Sequence, residues 1–249
     1  MWKKVKSATV GKTTQELING RCPYFLLCWN DLGTAWYSKG KYDKAVEYHE
    51  KALKTYIKIF DEDHPTVAKS WNNLGAAWNS KSKCDKAIEY YQKALMSDIE
   101  TFGEDHPNVA TTRNNLGTVW ISKGDYDKAI EYLEKALMSD IKTYGEDHPD
   151  IVPNWNNLGG AWASKGDYDK AIEYHEKALM IGIKTLGEDH PLVAKCKSNL
   201  GADWSSKGEY DKAIEYYEKA LESFKKAGLL HYAEQVEENI KSMRGKGKK

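Results

Sequence analysis

Apolar runs long enough to cross a membrane are missing from this 249-residue chain, whose mean hydropathy is -0.72. A spanning helix needs about 18 or more consecutive apolar residues, so a transmembrane helix is excluded. Cysteine is scarce. Cys22, Cys28, Cys84 and Cys196 form no CxxC pair and no disulfide framework, which suits ordinary thiols in a reducing compartment. The opening residues MWKKVKSATVGKTTQEL are basic but lack the apolar stretch of a secretory signal, so a cytoplasmic location is expected. An excess charge of either sign is lacking too, with 37 Lys and Arg against 37 Asp and Glu. The balance is uneven along the chain: residues 1–21 and 241–249 each hold five basic residues, and the body between them is net acidic. Such a body argues against a nucleic-acid surface, which rests on clustered Lys and Arg neutralising phosphates. The basic end, KSMRGKGKK, reads as a solubilising tail.

What is present is a repeat. Asn-Leu-Gly recurs at residues 73–75, 115–117, 157–159 and 199–201, always 42 residues apart, with Asp31-Leu32-Gly33 as a variant first copy. His64-Pro65, His106-Pro107, His148-Pro149 and His190-Pro191 keep the same interval, and Cys22-Pro23 falls in register with them. Five units therefore run over residues 22–228. In the second unit Val67, Trp71, Leu74, Gly75 and Trp78 make one helical stripe, and Ala87, Ile88, Tyr91, Ala94, Leu95 and Ile99 make another. Each unit thus predicts two helices of roughly 16 and 18 residues. His-Pro opens the first helix, Gly40, Gly124, Gly166 and Gly208 close it, and Gly103, Gly145 and Gly187 close the second. Gly75 and Ala87 remove bulk where the pair touches, while Trp71, Trp78 and Trp162 are expected in the core. Pro153, standing where other units carry Lys69, Thr111 and Lys195, predicts a kink or a helix that begins near Asn154.

Trp71-x2-Leu74-Gly75-x2-Trp78 followed by Ala87 and Ala94 resembles the tetratricopeptide repeat, with Trp78 in place of its usual Tyr. The long period and the Gly-Glu-Asp-His-Pro turns at residues 103–107, 145–149 and 187–191 are similar to the repeats of kinesin light chains and nephrocystin-like proteins. The Leu-Gly and Ala signature separates this pattern from HEAT and armadillo repeats. No coiled coil accompanies the repeats, so the motor role of kinesin light chains is not implied. The resemblance implies an all-α fold: a right-handed α-α superhelix, or solenoid, of five helix-turn-helix units. Residues 229–243 carry one apolar stripe, Leu229, Ala233, Val236, Ile240 and Met243, and are expected to form a C-terminal capping helix. Residues 244–249 are expected to be a disordered basic tail, and residues 1–21 an irregular or partly helical segment.

Motifs for chemistry fail where they can be tested. Gly11-Lys12-Thr13 lacks the earlier glycine of a phosphate loop, since Lys6 stands there. His49-Glu50 and His175-Glu176 begin like a zincin helix, but Leu53 and Leu179 occupy the place of its second histidine. The histidines at 64, 106, 148 and 190 lie in separate turns and read as helix starts. Acid pairs such as Asp125 with Asp127 sit at helix starts, where the macrodipole favours anions. No enzyme, metal or cofactor is expected.

The informative polar feature is a ladder on the first helices: Asn30, Asn72, Asn114 and Asn156, with Ser198 in the fifth unit. Tyr37 and Asn79 share its face. By the resemblance this face is concave, and a carboxamide can both donate to and accept from a bound peptide backbone. The competing reading is that paired residues such as Asn72 and Asn73 bond neighbouring repeats. Lys69, Arg113 and Lys195 add positive charge and mildly favour an acidic peptide, although Arg113 takes a place held elsewhere by Trp and is able to cover packing surface instead. The expected function is a non-enzymatic adaptor binding a partner's peptide segment in the groove. The alternative is a self-assembling scaffold joined through an open N-terminal end, where Phe25, Leu26, Leu27 and Trp29 crowd together.

Overall fold

A computed structural model describes residues 23–246, and side chains over residues 29–245. Expectations for residues 1–21, and for the side chains of Phe25, Leu26 and Leu27, lie outside the described residues. Eleven α-helices and one short 3-10 turn make up the described chain, with no strand among the described residues. The all-α helical-repeat fold is therefore as the repeat pattern requires. The helices group into two compact units, dividing between residues 101 and 102.

The first unit contains α1 (Pro23–Ser38), α2 (Tyr42–Phe60), α3 (Pro65–Ser80) and α4 (Cys84–Phe102), whose last residue lies at the division. Each pair is a hairpin closed by a short turn, and α2 packs on both α1 and α3. Ala45, Ala52, Val67, Leu74, Ala77 and Ala94 are fully buried between them. Glycine sets the approach. A Cβ on Gly75 would stand 2.7 Å from the Tyr91 ring, so the second helix can lie this close only over a bare backbone.

The second unit contains α5 (Pro107–Lys123), α6 (Tyr126–Tyr144), α7 (Val152–Lys165), α8 (Tyr168–Leu186), α9 (Pro191–Ser206), α10 (Tyr210–Lys226) and α11 (Leu230–Lys246). Successive helices pack in order, and α7 also touches α5 and α9, so the first helices of its pairs line up beside one another. The final helix, expected over residues 229–243, spans Leu230–Lys246. It covers the last pair with Ala233, Val236, Ile240 and Met243, all buried, of which the first three cluster with Tyr217 and Phe224.

Helix starts follow the sequence signals. His64, His106, His148 and His190 are N-caps whose Nδ1 accepts the backbone N–H two residues on, at 3.1–3.2 Å. In the fourth unit Pro149–Ile151 is a 3-10 turn and the α-helix begins at Val152, two residues before the expected Asn154. Pro153 then falls in the first turn, where a helical N–H lacks an intrahelical partner anyway.

Trp78 and Trp162 depart from expectation. Both pack against the buried core but are half-buried rather than enclosed, and a lysine lies over each indole ring. The pattern recurs in every unit: Lys44 over Trp36, Lys86 over Trp78, Lys128 over Trp120, Lys170 over Trp162 and Lys212 over Trp204, at 3.8–4.4 Å from the ring centroids. Each lysine sits eight residues after its tryptophan, across the turn, so this cation–π contact ties the two helices of a pair.

Candidate functional site

The asparagine ladder lies on the first helix of each pair, and its oxygens are already in use. In the first unit Asn30 Oδ1 accepts from Asn73 Nδ2 at 2.8 Å and lies 3.2 Å from His49 Nδ1. In the second, Asn114 Oδ1 accepts from Asn157 Nδ2 and Asn156 Oδ1 from Asn199 Nδ2, each at 3.0 Å. The second asparagine of one repeat thus reaches the first asparagine of the repeat before it. The amide NH2 groups of Asn30, Asn114 and Asn156 donate to no other described residue. The oxygen half of each carboxamide is thus spent on packing between repeats. Asn114 is half-buried, whereas Asn156 is 5% exposed. Asn72, on α3, is half-buried and hydrogen-bonded or otherwise engaged, and Ser198 is half-buried on α9.

The remaining candidates separate. Tyr37 is exposed and its hydroxyl accepts from Ser80 Oγ at 3.0 Å, so it bridges α1 and α3 within the first unit. Asn79 is half-buried on α3, and Lys69 and Lys195 are exposed. Arg113 is not on an open face. It is 6% exposed, with its guanidinium on the Glu104 carboxylate, the Glu104 carbonyl and Ser139 Oγ. The tryptophan that this position carries in other units left a slot that a long side chain fills with its stem, and its head must then find partners inside. Lys197 repeats the solution with Glu188 and Ser223.

The histidines of the zincin-like fragments are core residues. His49 lies against Gly33 and His175 against Gly159, both only 2% exposed. Burial lowers His49 from its ordinary 6.5 to about 4. His175 Nε2 donates to the Asn156 carbonyl at 3.1 Å, and its Nδ1 is 2.5 Å from buried Asp203. The Cys196 thiol is buried and pushed up to about 12, an inert packing group. Among the described residues no cluster of three metal-ligating side chains occurs, and no helix is long and apolar enough to cross a membrane.

Two hollows open in the second unit. The larger, about 500 Å³ around Trp120, is edged by lysines that already pair with Asp125 and Asp127. The other, about 320 Å³, lies among α5, α6, α7, α8 and α9 and reaches Asn114 of the ladder; Asp140, Tyr144, Pro153 and Leu192 also line it. No motif in the sequence marks this cavity. Its signal was present as local departures from an otherwise near-identical repeat.

The tetratricopeptide repeat family model matches residues 25–96, 79–138 and 150–226. In fold the chain is similar to a single-substitution variant of a Podosopora anserina protein described as a putative kinesin light chain with nearly identical TPR-like repeats. The two share 23% identity, covering 83% of this chain and 97% of that one, with a TM-score of 0.71. BtubC (BKLC) from P. vanneervenii is 26% identical over 79% of this chain and 78% of its own, with a TM-score of 0.69. The apo form of RapI shares 17% identity over 94% of this chain and 89% of its own, at 0.63. No curated protein matches the sequence. Helix pairs that meet over a bare glycine, recurring every 42 residues along most of the sequence, have their counterpart in that family model, and the chain belongs to the tetratricopeptide repeat family, with repeats like those of kinesin light chains.

Proposed function

We propose that this protein is a non-enzymatic adaptor that holds a peptide segment of a partner protein against the first-helix face of its repeats. Tetratricopeptide repeats support a protein-interaction scaffold at the coarse level. The observation that carries the finer reading is the half-used carboxamide: Asn30, Asn114 and Asn156 keep NH2 donors with no partner among the described residues, and the residue four positions on, Thr34, Thr118 or Gly160, is small. Donors of that kind suit the carbonyl groups of an extended chain. Function of this type needs no catalytic group and no cofactor, and fits a cytoplasmic protein.

The test starts from a partner captured by the intact chain and compares two substitutions in its titration. Asn157→Ala removes only the bond between repeats, whereas Asn114→Ala removes that bond and the ligand donor together. Each lost hydrogen bond contributes about 0.5 to 1.5 kcal/mol net, so Asn114→Ala should weaken binding about threefold to tenfold while Asn157→Ala stays within about twofold. Equal binding by the two variants, with equal loss of melting temperature, makes the ladder a packing feature and defeats the reading.

A further inference from the structure

Repeats this alike serve as their own internal standard, and in the second unit departures gather around one cavity. Asp150 stands where other repeats have Thr66, Asn108 and Leu192; Pro153 where they have Lys69, Thr111 and Lys195; Asn154 where they have Ser70, Thr112 and Cys196. All three line the cavity of about 320 Å³, together with Asp140. Its apolar lining includes Pro153, Leu192 and Tyr144. Its charged groups are the two carboxylates.

Asp140 is the odd group in this setting. It is half-buried, it accepts from Asn154 Nδ2 at 2.5 Å, and no cation pairs with it among the described residues. Burial pushes its carboxyl above the usual range, and the nearby Asp150 charge adds to the effect, against the opposing hydrogen bond from Asn154. Among the described residues the Asp150 carboxylate has only the loose approach of His148 Nδ1 at 3.7 Å. The cations expected on this face do not answer the charge: Arg113 is buried on Glu104, and exposed Lys195 does not line the cavity.

We propose that this cavity anchors a lysine or arginine side chain of the partner segment, with its alkyl stem on Pro153, Leu192 and Tyr144 and its cationic head at Asp140 and Asp150. A long cationic side chain matches the lining because its stem is apolar and its head carries the missing charge. The inference rests on the peptide-binding reading above and reverses the acidic preference that the sequence suggested for the partner. Asn114 reaches the same cavity, so the ladder donor and the anchor act on one stretch of peptide.

The experiment uses the full chain and three pools of acetylated, amidated peptides with randomised flanks, differing only in a central arginine, norleucine or glutamate. The arginine pool should be retained about tenfold better than the norleucine pool, and the glutamate pool least. Asp140→Asn should erase that advantage without lowering the melting temperature, since it neutralises a carboxylate that has no counter-ion, and Asp140→Lys should shift the preference to glutamate. Equal retention of arginine and norleucine, or an arginine preference that survives Asp140→Asn, overturns the anchor while leaving the peptide-binding face standing. Failure of all three pools to bind overturns both.

Discussion

Asp61 and Ser82 occupy backbone conformations that the other repeats reserve for glycine. Ser82 has φ 56°, where the other units have Gly40, Gly124, Gly166 and Gly208, and Asp61 has φ 62° with ψ 165°, where the next three units have Gly103, Gly145 and Gly187. The second region is almost closed to residues with a Cβ. Asp61→Gly should therefore stabilise the first unit by about 1 kcal/mol or more, read as a rise in denaturant midpoint; no rise would mean that the turn relaxes around Asp61 at no cost. Buried histidines give two further tests. His49 is held at about 4 in the folded chain and returns to its ordinary 6.5 on unfolding, so between these values the unfolded chain binds more protons. Its neutral form supports the fold fully above pH 6.5, and that support is lost as pH falls toward 4, by a total on the order of 3 kcal/mol. His49→Leu, which copies Leu133 at the same place in the third unit, should flatten this part of the acid profile. Identical acid profiles for the two proteins would refute the assignment. The His175–Asp203 pair gives the second test, read as stability at one pH. Asp203→Ala strands a buried ring nitrogen and should cost roughly 2 to 5 kcal/mol, whereas His175→Leu with Asp203→Ala, matching Leu133 and Ala161, should recover most of it. A double variant no more stable than Asp203→Ala alone would show that shape, not the unpaired nitrogen, sets the loss.

At the scale of the element, capping is the decisive matter. A helix pair exposes an apolar stripe on each side, and within the second unit α11 closes the last one with Ala233, Val236, Ile240 and Met243. Its outer face carries Glu234, Glu238 and Lys241, all exposed. Deleting residues 229–249 should uncover Tyr217 and Phe224 and drive concentration-dependent aggregation, seen by light scattering, while helical circular dichroism from the earlier pairs persists. A truncated chain that stays monomeric at high concentration would show that α11 is dispensable as a cap. The pairing of its apolar stripe was legible from period alone. The 3-10 turn at Pro149–Ile151 was legible as an interruption but not as a conformation, because a proline forbids a hydrogen bond without choosing what replaces it.

For the whole molecule, stability is spread over near-identical packing steps, so a local defect should stay local. Trp162→Ala removes a half-buried indole that lies between Lys165 and Lys170, and should cost about 2 to 3 kcal/mol, less than a fully enclosed tryptophan. Within the second unit, hydrogen exchange should quicken in α7 and α8 and in the helices touching them. Uniform quickening of every helix would contradict a repeat-by-repeat distribution of stability.

The all-α repeat, its register, the helix starts at His-Pro and the glycine contacts were determined by sequence alone. Each rests on spacing along one chain, and spacing is a local property that the helical period converts directly into a face. The tertiary structure decided which half of each carboxamide is spent. Asn114 and Asn157 are 43 residues apart, and only the packing of α5 beside α7 brings Nδ2 to Oδ1. It also took Arg113 out of the expected site, since a cation read as available from charge becomes a buried anchor once Glu104 and Ser139 surround it. The cavity at Asp140 belongs to the same class. Its residues come from five helices, and the desolvation of Asp140, together with its missing cation, exists only when those helices stand together.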